Sequence, residues 1–167
     1  MGIAQTACII FVDNQPFAWR ADWAWGLPLI VLTVLFHVSG LLVIDQRVVH
    51  GRGRHRMERR HPKVAFVMVL VVTTLLATSL HALEGGNWAC AYLFLGALPD
   101  FRSCVLYSAN AMTSYGHTNL SLAAHWQFMG ALEALNGWLL FGLTTAFLFS
   151  VLEKLRLSGT RQSAVSS

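Results

Sequence analysis

Two histidines lie inside long apolar stretches of the sequence, and their chemistry is the first that needs an explanation. His37 and His81 raise the hypothesis of a membrane haem or metal protein, because histidine is the commonest metal ligand. His37 lies seven residues from the end of its stretch at Ile44, whereas His81 lies seventeen residues from the start of its own at Val64. If those ends are level, the two depths differ by about 15 Å. We therefore predict two buried, hydrogen-bonded histidines and no shared metal ion or haem.

The other reactive residue types form no set that would act on a substrate. Cys8, Cys90 and Cys104 lack the spacing of metal ligands. Cys90 and Cys104 fall in the same segment between apolar stretches, which leaves a disulfide open. The sequence contains no Ser/His/Asp or Cys/His catalytic set and no phosphate-binding loop. We expect a protein that is not an enzyme and that has no resident cofactor.

Three long apolar blocks must position these residues. Of the 167 residues, 55% are apolar and 12% are charged, and this charged fraction is about half that of an ordinary soluble domain. The blocks run from Gly26 to Ile44, from Val64 to about Leu83 and from Ala124 to Leu152. A helix of about 20 apolar residues crosses the hydrocarbon layer of a membrane. We predict an all-α membrane protein with three transmembrane helices over residues 26–44, 64–84 and 124–153.

The positive charges predict how the chain crosses the membrane. Seven of the twelve Lys and Arg residues lie at positions 45–63 and three lie in the tail 154–167. Only Arg20 and Arg102 fall on the opposite side. Short loops rich in Lys and Arg stay in the cytoplasm. We therefore place the N-terminal segment 1–25 and the segment 85–123 outside, and the basic loop and the tail inside.

The basic loop 45–63 has two candidate partners. A run of Arg and His is a common electrostatic feature of nucleic-acid binding, but the same run next to a membrane helix sets topology and attracts anionic headgroups. We predict anionic lipids as the partner and no nucleic acid. On the opposite side, tryptophans are expected to form an interfacial belt; these are Trp19, Trp23, Trp25, Trp88 and Trp126. Glu84 is expected at the same interface.

The segment between the second and third blocks has the pattern of a re-entrant loop. Pro99 and Asp100 are a helix start signal, with Asp100 as the N-cap. Residues 101–112 suit one helix of roughly 18 Å, which is too short to span. A polar stretch with one glycine follows at residues 113–119, and the chain then enters the third block. Irregular backbone at membrane depth is tolerated only inside protein or beside a water-filled cavity. This order of elements predicts a pore helix and a filter loop.

These residues resemble the pore-loop region of the two-transmembrane potassium channel superfamily. The run from Val105 to Asn119, followed by Leu120-Ser121-Leu122 and Trp126, carries the likeness. Further stretches resemble one bacterial branch of that superfamily: Leu32-Thr33-Val34-Leu35-Phe36-His37, His81-Ala82-Leu83-Glu84, Gly96-Ala97-Leu98-Pro99-Asp100 and Gly130-Ala131-Leu132-Glu133-Ala134-Leu135-Asn136-Gly137. The resemblance covers about residues 30–153. It implies a homotetramer in a bacterial inner membrane that passes monovalent cations, K⁺ or Na⁺.

The filter stretch departs from the pattern of that superfamily, Thr-x-Gly-Tyr-Gly-Asp. The resemblance implies an ion-conducting filter of Thr113, Ser114, Tyr115, Gly116, His117, Thr118 and Asn119. In the preferred register, Ser114 stands at the Thr position and Gly116 at the first Gly, and Thr118 replaces the second Gly. The alternative register matches Tyr115-Gly116 to the Tyr-Gly pair. A β-branched residue in left-handed backbone costs roughly 1–2 kcal/mol. We therefore expect a degenerate filter with weak selectivity for potassium.

Two residues of the third block receive roles from the resemblance. Glu133 lies about two turns inside the block, where an ionisable group is by default functional. We expect Glu133 behind the filter, hydrogen-bonded to the loop or to the pore helix, and not facing the ion. Gly137 is a candidate gating hinge, and helix packing is an equally good explanation of it. The alternative function is a membrane subunit that keeps the channel fold and does not conduct.

Overall fold

The described part of the chain is helical. The structure, a computed structural model, describes the backbone of residues 16–51, 62–116 and 120–165 and the side chains of residues 20–51, 63–116 and 120–157. Helix α1 covers Pro16–Ile44 and continues as a π-helical turn, Asp45–Val49. Helix α2 covers Pro62–Phe94, and α3 covers Phe101–Thr113. A 3₁₀ turn at Ala124–Trp126 then leads into α4, Gln127–Val165. These ranges contain no β-strand, and the predicted all-α class is confirmed for them.

Three helical stretches have the length and composition needed to cross a membrane. They are Arg20–Val49, Lys63–Phe94 and Ala124–Leu157, with mean hydropathies of 2.5, 2.1 and 1.7. Each exceeds the roughly 20 residues that span the hydrocarbon layer. This agrees with the prediction of three transmembrane helices.

The helices extend beyond the predicted apolar blocks. Helix α1 begins at Pro16, ten residues before Gly26. Helix α2 continues ten residues past Glu84 and passes through Gly85 and Gly86. Local sequence suggests a break at a glycine pair, but Gly85 faces α3 closely, with Ser108 Oγ 3.4 Å from the position of an added Cβ. A glycine at a helix contact permits close approach, so it favours packing here and does not end the helix.

The chain divides into two compact units, and α1, α2 and α4 contribute residues to both. The first unit comprises the described residues of 1–33 and 85–138. Its core includes two of the tryptophans expected at the interface, Trp88, which is fully buried, and Trp126. The prediction of an interfacial belt is wrong for these two residues, because their rings are buried between helices. Trp23 and Trp25 are exposed, at 42% and 44%.

The second unit comprises the described residues of 34–84 and 139–167. One buried cluster joins Val49, Val69, Val151 and Leu155, which come from three different elements. A Cβ added at Gly40, four residues before Ile44, would lie 2.7 Å from the side chain of Leu80, which is sixteen residues after Val64. The two helix ends at this side are therefore not level with each other.

Candidate functional site

Helix α3 has a capped start, as the sequence predicted. Asp100 Oδ1 accepts from the Ser103 backbone N–H at 3.0 Å, and Oδ2 accepts from the Ser103 hydroxyl at 2.7 Å. These two bonds hold the pKa of Asp100 below its usual range, because they stabilise the ionised carboxylate. At the other end, the backbone N–H of Ser114 donates to Ala111 and Asn110. The helix of thirteen residues is about 20 Å long.

The backbone after α3 alternates in handedness over the described part of the predicted filter. Ser114 has φ +53° and Gly116 has φ +89°, whereas Tyr115 between them has a negative φ. Thr113 belongs to the helix, since its hydroxyl donates to Ala109 O at 2.7 Å. The Ser114 hydroxyl accepts from Trp138 Nε1 of α4 at 2.7 Å. The predicted filter residues His117, Thr118 and Asn119 lie outside the described residues.

Glu133 is fully buried and connects three helices. Its Oε2 accepts from the Tyr92 hydroxyl of α2 at 2.6 Å, and its Oε1 contacts the Ser108 hydroxyl of α3. The Ser108 hydroxyl also reaches Gly85 O at 2.7 Å. The contact with α3 agrees with the hydrogen bond predicted for Glu133. Its functional role stays a prediction.

Counting protons in this network indicates the form of Glu133. The Ser108 hydroxyl has one proton and two acceptor neighbours, Glu133 Oε1 and Gly85 O. If Glu133 carries a proton, it donates to Ser108, and Ser108 donates to Gly85, while Tyr92 donates to the second carboxyl oxygen. All three contacts are then hydrogen bonds and no net charge is buried, which is the less costly arrangement.

Two glycines of α4 allow α3 to lie against it. A Cβ added at Gly130 would collide with the Tyr107 hydroxyl, and one added at Gly137 would lie 2.9 Å from the Met112 Cα. Real Cβ atoms do not approach backbone so closely. Gly137 therefore has a packing role, and its role as a hinge stays a prediction.

The second unit brings together residues that the sequence placed apart. The ring centroids of His37 and His81 are 5.0 Å apart, so the predicted separation of about 15 Å is wrong. The prediction assumed that Ile44 and Val64 are level, whereas Gly40 lies beside Leu80, so α1 and α2 are offset along their length. The expectation for Glu84 is also wrong: it is fully buried, and Oε1 lies 2.8 Å from His37 Nδ1. The prediction of buried, hydrogen-bonded histidines holds for His37.

Two residues that complete these sites are not among the candidates predicted from the sequence. Tyr92 is separated from Glu133 by 41 positions, and Thr144 from His37 by 107. Thr144 Oγ1 lies 3.0 Å from both His37 Nε2 and His81 Nε2. Nothing local in the sequence marks either residue, because each is an ordinary helix position. Ser108 lies within the run from Val105 to Asn119 that carries the resemblance.

Comparisons with family models, with curated proteins and with solved structures find no match to this chain.

Proposed function

We propose that this chain is one subunit of a homotetrameric pore-loop channel that passes monovalent cations across a bacterial inner membrane. The observation that carries the proposal is the backbone after α3. Carbonyl groups that point toward one axis require alternating left-handed residues. Positive φ at Ser114, which is also the C-cap of α3, and at Gly116 is compatible with the start of such an alternation. The C-terminal end of α3 leads into this stretch, and its partial negative charge favours a nearby cation.

The anchoring of α3 supports the same function. A selectivity loop needs rigid packing against the rest of the protein, because its coordinating groups must keep fixed distances to the ion. In the first unit, α3 is held by the Glu133 and Ser108 contact, by the close approach at Gly137, and by the Trp138 bond to Ser114. Each of these contacts is made to α4, which is itself part of a stretch long enough to span a membrane.

The proposed topology and partners follow from charge. The basic loop 45–63 and the tail 154–167 lie in the cytoplasm and the loop contacts anionic lipids, while the N-terminus and the segment 85–123 lie outside. The permeant ions are K⁺ and Na⁺. Selectivity is weak, because Thr118 replaces a glycine that left-handed backbone favours, and His117 and Asn119 also depart from the family pattern.

The test is the reversal potential of purified protein in liposomes under bi-ionic potassium and sodium. We expect cation conduction with a small preference for potassium. The triple variant His117→Tyr, Thr118→Gly, Asn119→Asp should shift the reversal potential toward potassium selectivity. Gly142→Ala serves as the control, since nothing lies within 4 Å of the added Cβ.

Strong potassium preference in the natural protein would contradict the degenerate filter. Liposomes without ion flux, despite intact tetramers, would identify a non-conducting subunit instead.

A further inference from the structure

A buried cluster in the second unit places three ligand-type side chains around one point. His37 comes from α1, and His81 and Glu84 come from one face of α2, three positions apart. One nitrogen or oxygen atom of each residue lies within 4.8 Å of the others. The side chains of His37 and Glu84 are fully buried, and that of His81 is 26% exposed. The cluster lies in the second unit and plays no part in the proposed filter.

The neighbours of the imidazole nitrogens allow two proton arrangements. In one, Thr144 donates to His37 Nε2 and the His37 Nδ1–H donates to Glu84 Oε1. In the other, both Nε2 atoms donate to Thr144. Both Nε2 atoms lie 3.0 Å from the Thr144 hydroxyl, whose oxygen has two lone pairs and accepts two hydrogen bonds. With both Nε2 atoms donating, the Thr144 proton is free for a carbonyl one turn back, as Thr145 donates to Phe141 O. Both Nδ1 atoms then carry lone pairs, and both face Glu84, at 2.8 Å and 3.4 Å.

This arrangement leaves electron-pair donors facing one another in a buried place. Glu84 Oε2 is buried and has no hydrogen-bond partner among the described residues, although His81 Nδ1 lies 3.4 Å from it. Two nitrogen lone pairs and a carboxylate repel each other unless a positive charge lies between them, and an unpaired buried carboxylate is costly. A cation at the shared point removes both penalties.

We propose that His37 Nδ1, His81 Nδ1 and the Glu84 carboxylate bind one divalent transition-metal ion of the zinc class. Two imidazoles and one carboxylate are a ligand set that this class of ion accepts, with metal–ligand bonds of about 2.0–2.2 Å. Ligand atoms on one tetrahedral ion of that size lie about 3.4 Å apart. The His81–Glu84 distance is 3.4 Å, and the His37–Glu84 distance of 2.8 Å would lengthen when the ion takes the place of that contact. Thr144 has the place of the outer partner that fixes the orientation of metal-ligating histidines.

The ion would connect α1 to α2 in the second unit. Three protein ligands leave one coordination position open. Because the folded protein binds the ion through residues far apart in sequence, metal binding stabilises the folded chain in proportion to the free metal concentration. The inference does not rest on ion conduction, and channel activity is not its readout.

The experiment uses the full chain, purified without a histidine tag, stripped with EDTA and then exposed to Zn²⁺ or Co²⁺. We expect one metal per chain by elemental mass spectrometry after gel filtration, visible absorption from bound Co²⁺, and a melting temperature that rises with Zn²⁺. His37→Gln and Glu84→Gln should lose the metal. His50→Gln is the matched control, because it removes an exposed histidine whose Nδ1 lies 3.3 Å from Asp45 Oδ2. Thr144→Val should weaken binding by about 10- to 100-fold.

X-ray absorption of the Zn²⁺-loaded natural protein keeps the inference testable if the variants fail to fold. Scattering from two imidazoles and at least one oxygen is the expected result. Metal content at background level in the natural protein overturns the inference, and so does binding that is unchanged in His37→Gln. In the first of these cases, the His37 Nδ1–H donates to Glu84 and the Thr144 hydroxyl donates to His37 Nε2.

Discussion

At the residue scale, Glu133 determines how the buried polar network of the first unit is satisfied. A neutral Glu133 makes hydrogen bonds with Tyr92 and with Ser108, and glutamine has the same shape, one acceptor and one donor group. We expect Glu133→Gln to change the free energy of unfolding by less than about 1 kcal/mol. Glu133→Leu leaves the Tyr92 hydroxyl without a partner and should cost about 1–3 kcal/mol.

Denaturation of the purified protein in detergent, monitored for both variants, measures this difference. Thr78→Val, on an exposed position of α2 where the hydroxyl only bonds its own helix, is a control for loss of a polar group. If Glu133→Gln destabilises as much as Glu133→Leu, the carboxyl group is ionised and its charge is needed.

The sequence predicted part of this network. The depth of Glu133 inside an apolar block, together with the resemblance, predicted a hydrogen bond to the loop or to the pore helix, because an unpaired ionisable group there is too costly. Tyr92 as the second partner was not predictable, since it requires α2 to continue past Gly85 and Gly86 and to lie beside α4. That continuation depends on packing against α3.

At the element scale, the approach of α3 to α4 depends on Gly137. A Cβ at this position would overlap the Met112 backbone, and overpacking of this kind costs about 1–3 kcal/mol. We expect Gly137→Ala to lower the thermal unfolding midpoint. Gly142→Ala, five residues further along the same helix, meets nothing within 4 Å, so it should leave the midpoint unchanged or raise it, because alanine favours helix over glycine.

This pair of variants also separates packing from hinge bending at Gly137. If Gly137 acted only as a hinge, its alanine variant would alter the open probability of the channel and would leave the unfolding midpoint unchanged. That result would contradict the packing role.

At the scale of the whole molecule, the proposed tetramer predicts that exposed aromatic residues on α4 lie where copies of the chain meet. Phe141 and Phe149 lie eight positions apart and are 65% and 69% exposed in the single chain. Leu75 and Leu83 on α2 have the same spacing and are 62% and 61% exposed. In the proposed channel α4 is the inner helix, so its aromatic face is buried between subunits and the face of α2 meets lipid.

We therefore expect the double variant Phe141→Ala, Phe149→Ala to reduce the tetramer fraction at least tenfold, because two aromatic side chains lose their buried contact area. The matched double variant Leu75→Ala, Leu83→Ala should leave it unchanged. Native mass spectrometry in mild detergent measures the distribution of species. Equal loss of tetramer in both variants would show that the α4 face contributes no more to assembly than the α2 face. A natural protein found only as monomer or dimer would contradict the tetramer.

The sequence by itself determined the features that depend on neighbouring residues. The length and apolarity of three blocks predicted three helices able to span a membrane, and Asp100 predicted the start of α3, because a helix and its cap form from contacts within a few positions. The tertiary structure decided the features that depend on helix register. His37, His81 and Glu84 meet because α1 and α2 pack with Gly40 beside Leu80. Such an offset is set by side-chain packing between helices, which no single segment of the sequence encodes.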